Sequence, residues 1–136
     1  MNMQAQKPEF IDAVKLRVEG LIKWRKHIEK ALARNGTLFS YEELCQLVLA
    51  AKMFWFENED SFAVVEPLTH INGSTFSIIV AGGKYDRLLE VEQQIVNLAK
   101  SVGVKRLTTL GRDGFLRRKR PEGWNPTHQQ FFVKEL

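Results

Sequence analysis

The chain has a single cysteine, Cys45, among its 136 residues. No intrachain disulfide can form, and the composition suits a reducing cytosol. No stretch approaches the roughly 18 consecutive apolar residues that a membrane span requires, so no membrane association is expected. The N-terminal MNMQAQKPEF lacks the apolar centre of a signal peptide. Histidine is scarce: His27, His70 and His128 are scattered without metal-ligand spacing, and Cys45 adds nothing to them, so no metal site is expected. Tyrosine is scarcer still, with only Tyr41 and Tyr85. Repeats, low-complexity runs and linkers are absent. What remains, 44% hydrophobic and 26% charged residues, is the composition of one globular domain over 1–136, long enough to fold without metal or disulfide.

Charge is distributed unevenly. The net value of +4 conceals a basic stretch, KRLTTLGRDGFLRRKR (105–120), with seven Lys and Arg against one Asp. The rest of the chain is net negative. Arg117, Arg118, Lys119 and Arg120 are four cations in a row, and four unpaired charges cannot all be buried. They read as a solvated helix end, or as a partner-binding patch for an acidic protein surface, for the phosphates of a nucleic acid or for the 3′-phosphate of a coenzyme.

Periodicity places the elements. Val14, Val18, Leu21, Ile22, Trp24, Ile28 and Leu32 predict a helix from about Pro8 to Arg34, ended by Asn35-Gly36. Ser40 and Glu43 form a capping box that opens a second helix, with Leu44, Leu47, Val48 and Ala51 on its apolar face. Cys45 lies on this helix and reads as a small packing residue. Together these helices make an N-terminal segment over 8–52. The period then changes to two. MFWFE (53–57) and SFAVVEPL (61–68) predict strands joined at Asn58-Glu59-Asp60, with Phe54 and Phe56 on one face and Met53 and Trp55 on the other. Trp24 is the expected packing partner for one of those faces. Asn72-Gly73 is a second tight turn. TFSIIVA (75–81) reads as a central strand.

A Gly82-Gly83 loop follows, then an amphipathic helix from about Asp86 to Ser101 with Leu88, Val91, Ile95, Leu98, Ala99 and Val102 as its stripe. Gly103 stops it. RLTTL (106–110) is a fourth strand, Gly111 to Arg120 a short helix or turn ended by Pro121, and HQQFFVKEL (128–136) a terminal strand. The strand–helix–strand unit implies a parallel crossover. The expected class is an α/β (α+β) sandwich, a mixed, mostly antiparallel sheet over 53–136 with helices on both faces.

This order resembles the GNAT acyltransferase superfamily over roughly residues 8–136. The strand TFSIIVAGG leads into a helix ending LAKSVGVKRL, like the family's E-x-x-A-x-x-x-G helix and following strand. Gly123-Trp124 in RRKRPEGW resembles the family's late G-F, and HQQFFVKEL its terminal strand. GRDGFLRRKRPEGW and the AGG loop are similar to small GNAT-like proteins of bacteriophages and prophages. The resemblance implies a coenzyme site at the strand–glycine–helix junction, where Ala81, Gly82, Gly83, Lys84 and Arg87 would hold acetyl-CoA if it binds.

The departures from the family carry as much information. Aligned through Ala99 and Gly103, the two small positions of the family's pyrophosphate loop fall on Asp86 and Leu88. Leu88 is bulky. Asp86 places an anion where the pyrophosphate would lie, and it reads as the helix N-cap. Four residues before Gly123, where the family's enzymes often carry a tyrosine acid, stands Lys119. Tyr85 is the one substitute near the loop. Glu57, Glu66 and His70 lie on the strands lining the family's cleft and are the candidate proton acceptors, with Glu66 and Tyr85 the weak catalytic candidates. The reading is therefore a phage-type GNAT-like scaffold of the host cytoplasm or of a phage particle, without a cofactor. It would act by self-association or by binding a protein, with nucleic acid as a further partner. The alternative is an acetyl-CoA-dependent N-acetyltransferase with a divergent loop.

Overall fold

A computed structural model of the chain describes residues 3–34, 39–109, 123–125 and 134–136, with side chains in the first helix described from residue 13 onward. Several expectations lie outside these residues: the helix stop at Asn35-Gly36, the short helix over 111–120 with Arg117, Arg118, Lys119 and Arg120, the stop at Pro121, and most of the terminal strand. Residues 134–136, at its end, are irregular and exposed.

The long N-terminal helix is in two parts, α1 (Met3–Lys23) and α2 (Arg25–Arg34). Trp24 interrupts it, yet the hydrogen bonds from Trp24 N to Gly20 O and from Ile28 N to Trp24 O carry the helical ladder across the break. Of the expected stripe, Leu21, Trp24, Ile28 and Leu32 are buried. Val18 and Ile22 are exposed instead, because the chain turns its 21–24–28–32 edge to the sheet. The helix α3 (Tyr41–Leu49) opens on the expected capping box: Ser40 Oγ accepts from Glu43 N, and Glu43 Oε1 accepts from Ser40 N. Leu44 and Val48 are buried, whereas Ala51 has left the helix, exposed at φ 58°.

The described strands are β1 (Phe54–Glu57), β2 (Ser61–His70), β3 (Gly73–Gly83) and β4 (Arg106–Thr109), side by side in that order. The first three are antiparallel neighbours, and β3 and β4 are parallel across the helix α4 (Tyr85–Ser101). The class is mixed α/β, with helices on both faces of a mostly antiparallel sheet.

Alternation along the strands sorts the core into two layers. Met53, Phe62, Val64 and Val80 meet Leu21, Trp24, Ile28, Leu32, Leu44 and Val48 on one face. Ala63, Val65 and Phe76 meet Val91, Ile95 and Ala99 of α4 on the other. The aromatic strand behaves as its period demands: Trp55 lies with the first layer, Phe54 and Phe56 with the second. Phe62 is the centre of the first layer. Its ring lies 5.1 Å from that of Trp24 and 5.3 Å from that of Trp55, the latter stacked. On α4, Val102 departs from the expected stripe and is 60% exposed, since the helix has ended at Ser101.

Candidate functional site

The strand–glycine–helix junction is the site that the sequence singles out, and its geometry differs from expectation in one decisive respect. Gly82 and Gly83 are not a loop. They are the last two residues of β3, paired with Phe62 and Ser61 of β2. A methyl group on Gly82 would stand 2.8 Å from Phe62 Cε1. One on Gly83 would stand 2.1 Å from the carbonyl oxygen of Asp60 and 2.6 Å from Ser61 Cα, and Gly83 has φ +105°. Both glycines are thus required by the approach of β2 and by backbone conformation. A one-residue register shift precedes them: Val64 pairs with Val80 but Val65 with Ile78, leaving Ile79 as the extra residue of a bulge.

The cap of α4 is Lys84, not Asp86, and it makes no side-chain capping bond. Asp86 lies in the first turn, where its charge complements the helix dipole. The N–H of Lys84 donates to Asp60 O at 2.9 Å, and those of Arg87 and Leu88 to Lys84 O. Lys84 Nζ lies 3.7 Å from Asp60 Oδ1, and Arg87 Nε 3.5 Å from Asp60 Oδ2. Arg87 Nη1 also donates to Glu90 Oε1 at 2.6 Å. Asn58 completes the arrangement. Its Nδ2 donates to Arg87 O at 2.9 Å, while its Oδ1 accepts from Ser61 Oγ and from Asp60 N. The turn between β1 and β2 therefore latches onto the first turn of α4. The expected phosphate-binding cations are both engaged by one carboxylate of that turn. Each such pair, partly exposed, contributes only about 0–1 kcal/mol to stability, but the carboxylates of Asp60 and Glu90 match the two cations in formal charge.

The remaining candidates are dispersed. Tyr85, half-buried, begins α4 beside the latch. Glu57 is at the same end of the sheet but beneath α1: its Oε1 and Trp55 Nε1 would each lie 2.8 Å from a methyl group at the buried Gly20. Glu66, opposite Ser77 in mid-strand, lies on the α1–α3 side with Phe62 and Val64. His70 is exposed at the far tip of the β2–β3 hairpin, opposite Gly73. Nine residues of strand separate it from Ser61, about 30 Å, so the structure does not bring His70 and Tyr85 together.

Cys45 is half-buried beside Tyr41. Burial pushes the Tyr41 phenol up to about 12, with the hydrogen bond to Cys45 adding to it. Burial also raises the thiol, which disfavours a thiolate and fits the packing role. Tyr41 Oη donates to Leu21 O at 2.7 Å, tying α3 to α1, and the Arg25 guanidinium lies 4.5 Å over its ring. Among the described residues no cluster of His, Cys, Asp or Glu could hold a metal, and no helix is long and apolar enough to cross a membrane.

One contact lies within the basic stretch and one beyond it. Thr109 Oγ1 donates to Ile78 O at 3.0 Å, and Trp124 Nε1 donates to Glu92 Oε1 on α4. Sequence reasoning missed Asn58, Asp60 and Glu90. The turn was legible, but no local signal shows that it meets a helix some 25 to 30 residues later.

No protein-family profile matches the chain, and no curated protein matches it. Crystal structures of wild-type TTHA1254 from Thermus thermophilus and of a point mutant of it are similar in fold. The wild type has a TM-score of 0.50 at 12% identity, covering 71% of this chain and 82% of that one. The mutant has 0.49 at 12% identity, covering 71% and 83%.

Proposed function

We propose that the protein is a binding module on a GNAT-like shell, acting through protein contacts without catalysis. One observation carries this reading: the glycine pair and both loop cations are committed to the chain's own β1–β2 turn. Gly83 fits against Asp60 O, and Lys84 and Arg87 face the Asp60 carboxylate. A phosphate-binding loop needs glycines that admit a ligand and amides and cations aimed at it; here the glycines are closed off by the β2 backbone and Phe62, and both cations lie within 4 Å of the Asp60 carboxylate. Asp86 adds a further negative charge at the helix start. A place in a phage particle rests on the sequence resemblance alone.

A second reading has one observation in its favour. The N-terminus of α4 carries no side-chain cap, and an uncapped helix start at the carboxyl end of a parallel strand pair is where an anion binds favourably. On that reading the protein is an acetyl-CoA-dependent N-acetyltransferase with Tyr85 as its acid. Calorimetric titration with acetyl-CoA separates the two. The binding-module reading expects no dissociation constant tighter than roughly 1 mM, a free energy weaker than about −4 kcal/mol. A low-micromolar constant would overturn it in favour of the enzyme.

A further inference from the structure

We propose that the groove between the tip of the β2–β3 hairpin and the start of β4 binds a phosphate monoester, with Lys105, Arg106 and His70 as its donors. The groove lies at the opposite end of β3 from the strand–helix junction, about 30 Å away. It stands or falls apart from the reading proposed for that junction.

Pairing register builds the groove. Leu68 of β2 pairs with Thr75 of β3, and Thr75 pairs with Arg106 of β4. Paired residues turn their side chains to one face, and so do residues two apart on a strand. His70 and Arg106 therefore share a face, with β3 between them, across two strand spacings or about 10 Å. Gly73 lies opposite His70, and a methyl group on it would meet nothing within 4 Å. The open groove that results is about 980 Å³, lined by His70, Gly73, Ser74, Thr75, Lys105 and Arg106 with their neighbours.

Three observations point to an oxyanion. The described lining contains no Asp or Glu. Arg106 is aimed: its Nε and Nη2 donate to Thr75 Oγ1 at 3.3 and 3.2 Å, and Thr75 is 3% exposed. That holds the guanidinium plane over the strand, and among the described residues nothing accepts from its Nη1. Finally, among the described residues neither Lys105 nor Arg106 has a carboxylate within 4 Å, whereas Arg25, Lys84 and Arg87 each face one.

The donor set selects phosphate over carboxylate. A carboxylate is planar, carries one charge and is met fully by one arginine fork. Here the donors come from β2 and from both sides of the β4 start, and two are full cations. That suits a group with several oxygens and a charge of about −1.5 to −2, as a phosphate monoester has.

Amide-resolved NMR of the full chain, titrated with inorganic phosphate at neutral pH and constant ionic strength, tests this. Saturable shifts are expected at Gly73, Ser74, Lys105 and Arg106, with a dissociation constant on the order of 1 mM. Arg106→Gln keeps a donor for Thr75 and should weaken binding by at least about tenfold, since the charge-assisted bonds are lost. Lys105→Gln, at an exposed position, should leave the fold unchanged and weaken binding about two- to fivefold. Shifts that rise linearly to about 20 mM, shifts confined to residues 117–120, or a response that neither variant weakens would overturn the proposal. Equal shifts from acetate would also overturn it. AMP separates the sources of the group: binding at least about threefold tighter than inorganic phosphate assigns a nucleotide, and equal binding assigns the phosphate alone. A thymidine oligonucleotide without terminal phosphates that binds tighter than AMP would make the ligand a nucleic-acid backbone and overturn the monoester.

Discussion

Gly83→Ala is the sharpest probe of the junction, because a glycine kept for a ligand and a glycine kept for packing respond differently to one methyl group. At φ +105° an alanine occupies backbone space that side chains rarely adopt, at a cost of about 1–3 kcal/mol. The methyl would also stand 2.1 Å from Asp60 O and 2.6 Å from Ser61 Cα, and neither backbone atom can rotate aside. The end of the β2–β3 ladder must open. That weakens the Ser61–Gly83 pairing and the bond from Lys84 N to Asp60 O, each hydrogen bond contributing about 1 kcal/mol net. The total is about 3–5 kcal/mol, a large share of the roughly 5–15 kcal/mol by which a domain is stable. In urea, with a slope of about 1–3 kcal/mol per molar, the unfolding midpoint should fall by about 1–5 M. Gly82→Ala should act in the same direction by about 1–3 kcal/mol through overpacking, since Phe62 is held between Trp24 and Trp55. If Gly83→Ala unfolds within about 0.5 M of the parent, a shift too small for a clash of this kind, the glycine is free to serve a ligand and the packing account is wrong.

Two further outcomes follow from the core and from the α1–α3 tie. Ile95, 1% exposed among Val91, Ala99 and the β2–β3 face, should cost about 2–5 kcal/mol when replaced by alanine, through lost transfer energy and the cavity left behind; a variant with the parent's urea midpoint would remove α4 from the core. Tyr41, whose phenol is raised to about 12 by burial and by Cys45, stabilises the fold fully below its unfolded value of about 10 and loses that contribution as pH rises from about 10 to 12. Thermal unfolding across that window should steepen with pH in the parent and flatten in Tyr41→Phe, and identical profiles would show that the phenol titrates freely.

Much of this architecture is legible in local sequence because its causes are local. The Ser40–Glu43 box caps α3 through atoms three residues apart. Alternation in MFWFE divides Trp55 from Phe54 and Phe56 because a strand turns each successive side chain to the other face. The stripe of α4 buries Val91, Ile95 and Ala99 at helical spacing. What escapes has causes far away in the chain. Gly82-Gly83 looks like a loop because glycine pairs usually mark turns; it is strand because Phe62 and Asp60, some 20 residues earlier, press on it. Asp86 looks like a cap by residue type, but the chain leaves the sheet two residues sooner, fixed by the bond from Lys84 N to Asp60 O. Val18 and Ile22 look like core by periodicity, which shows that a face is apolar and not what covers it.

The same long-range contacts bear on the chemistry of the junction. A helix start following a parallel strand attracts an anion through its dipole and its amides, and this one has an anion beside it already. Asp60 arrives on the β1–β2 turn, lies 3.7 Å from Lys84 and 3.5 Å from Arg87, and accepts the Lys84 amide on its backbone carbonyl. Asn58 holds the turn in place by bonding Arg87 O. An external phosphate would have to displace a group that is covalently tethered and thus present at high effective concentration, and to do so beside Asp86. Removing the carboxylate alone would not open the site, because the carbonyl of Asp60 and the Cα of Ser61 still fill the space in front of Gly83. The strand, glycine pair and helix start form a fastening between hairpin and helix. Its glycines serve that fastening, Gly82 against Phe62 and Gly83 against Asp60 and Ser61.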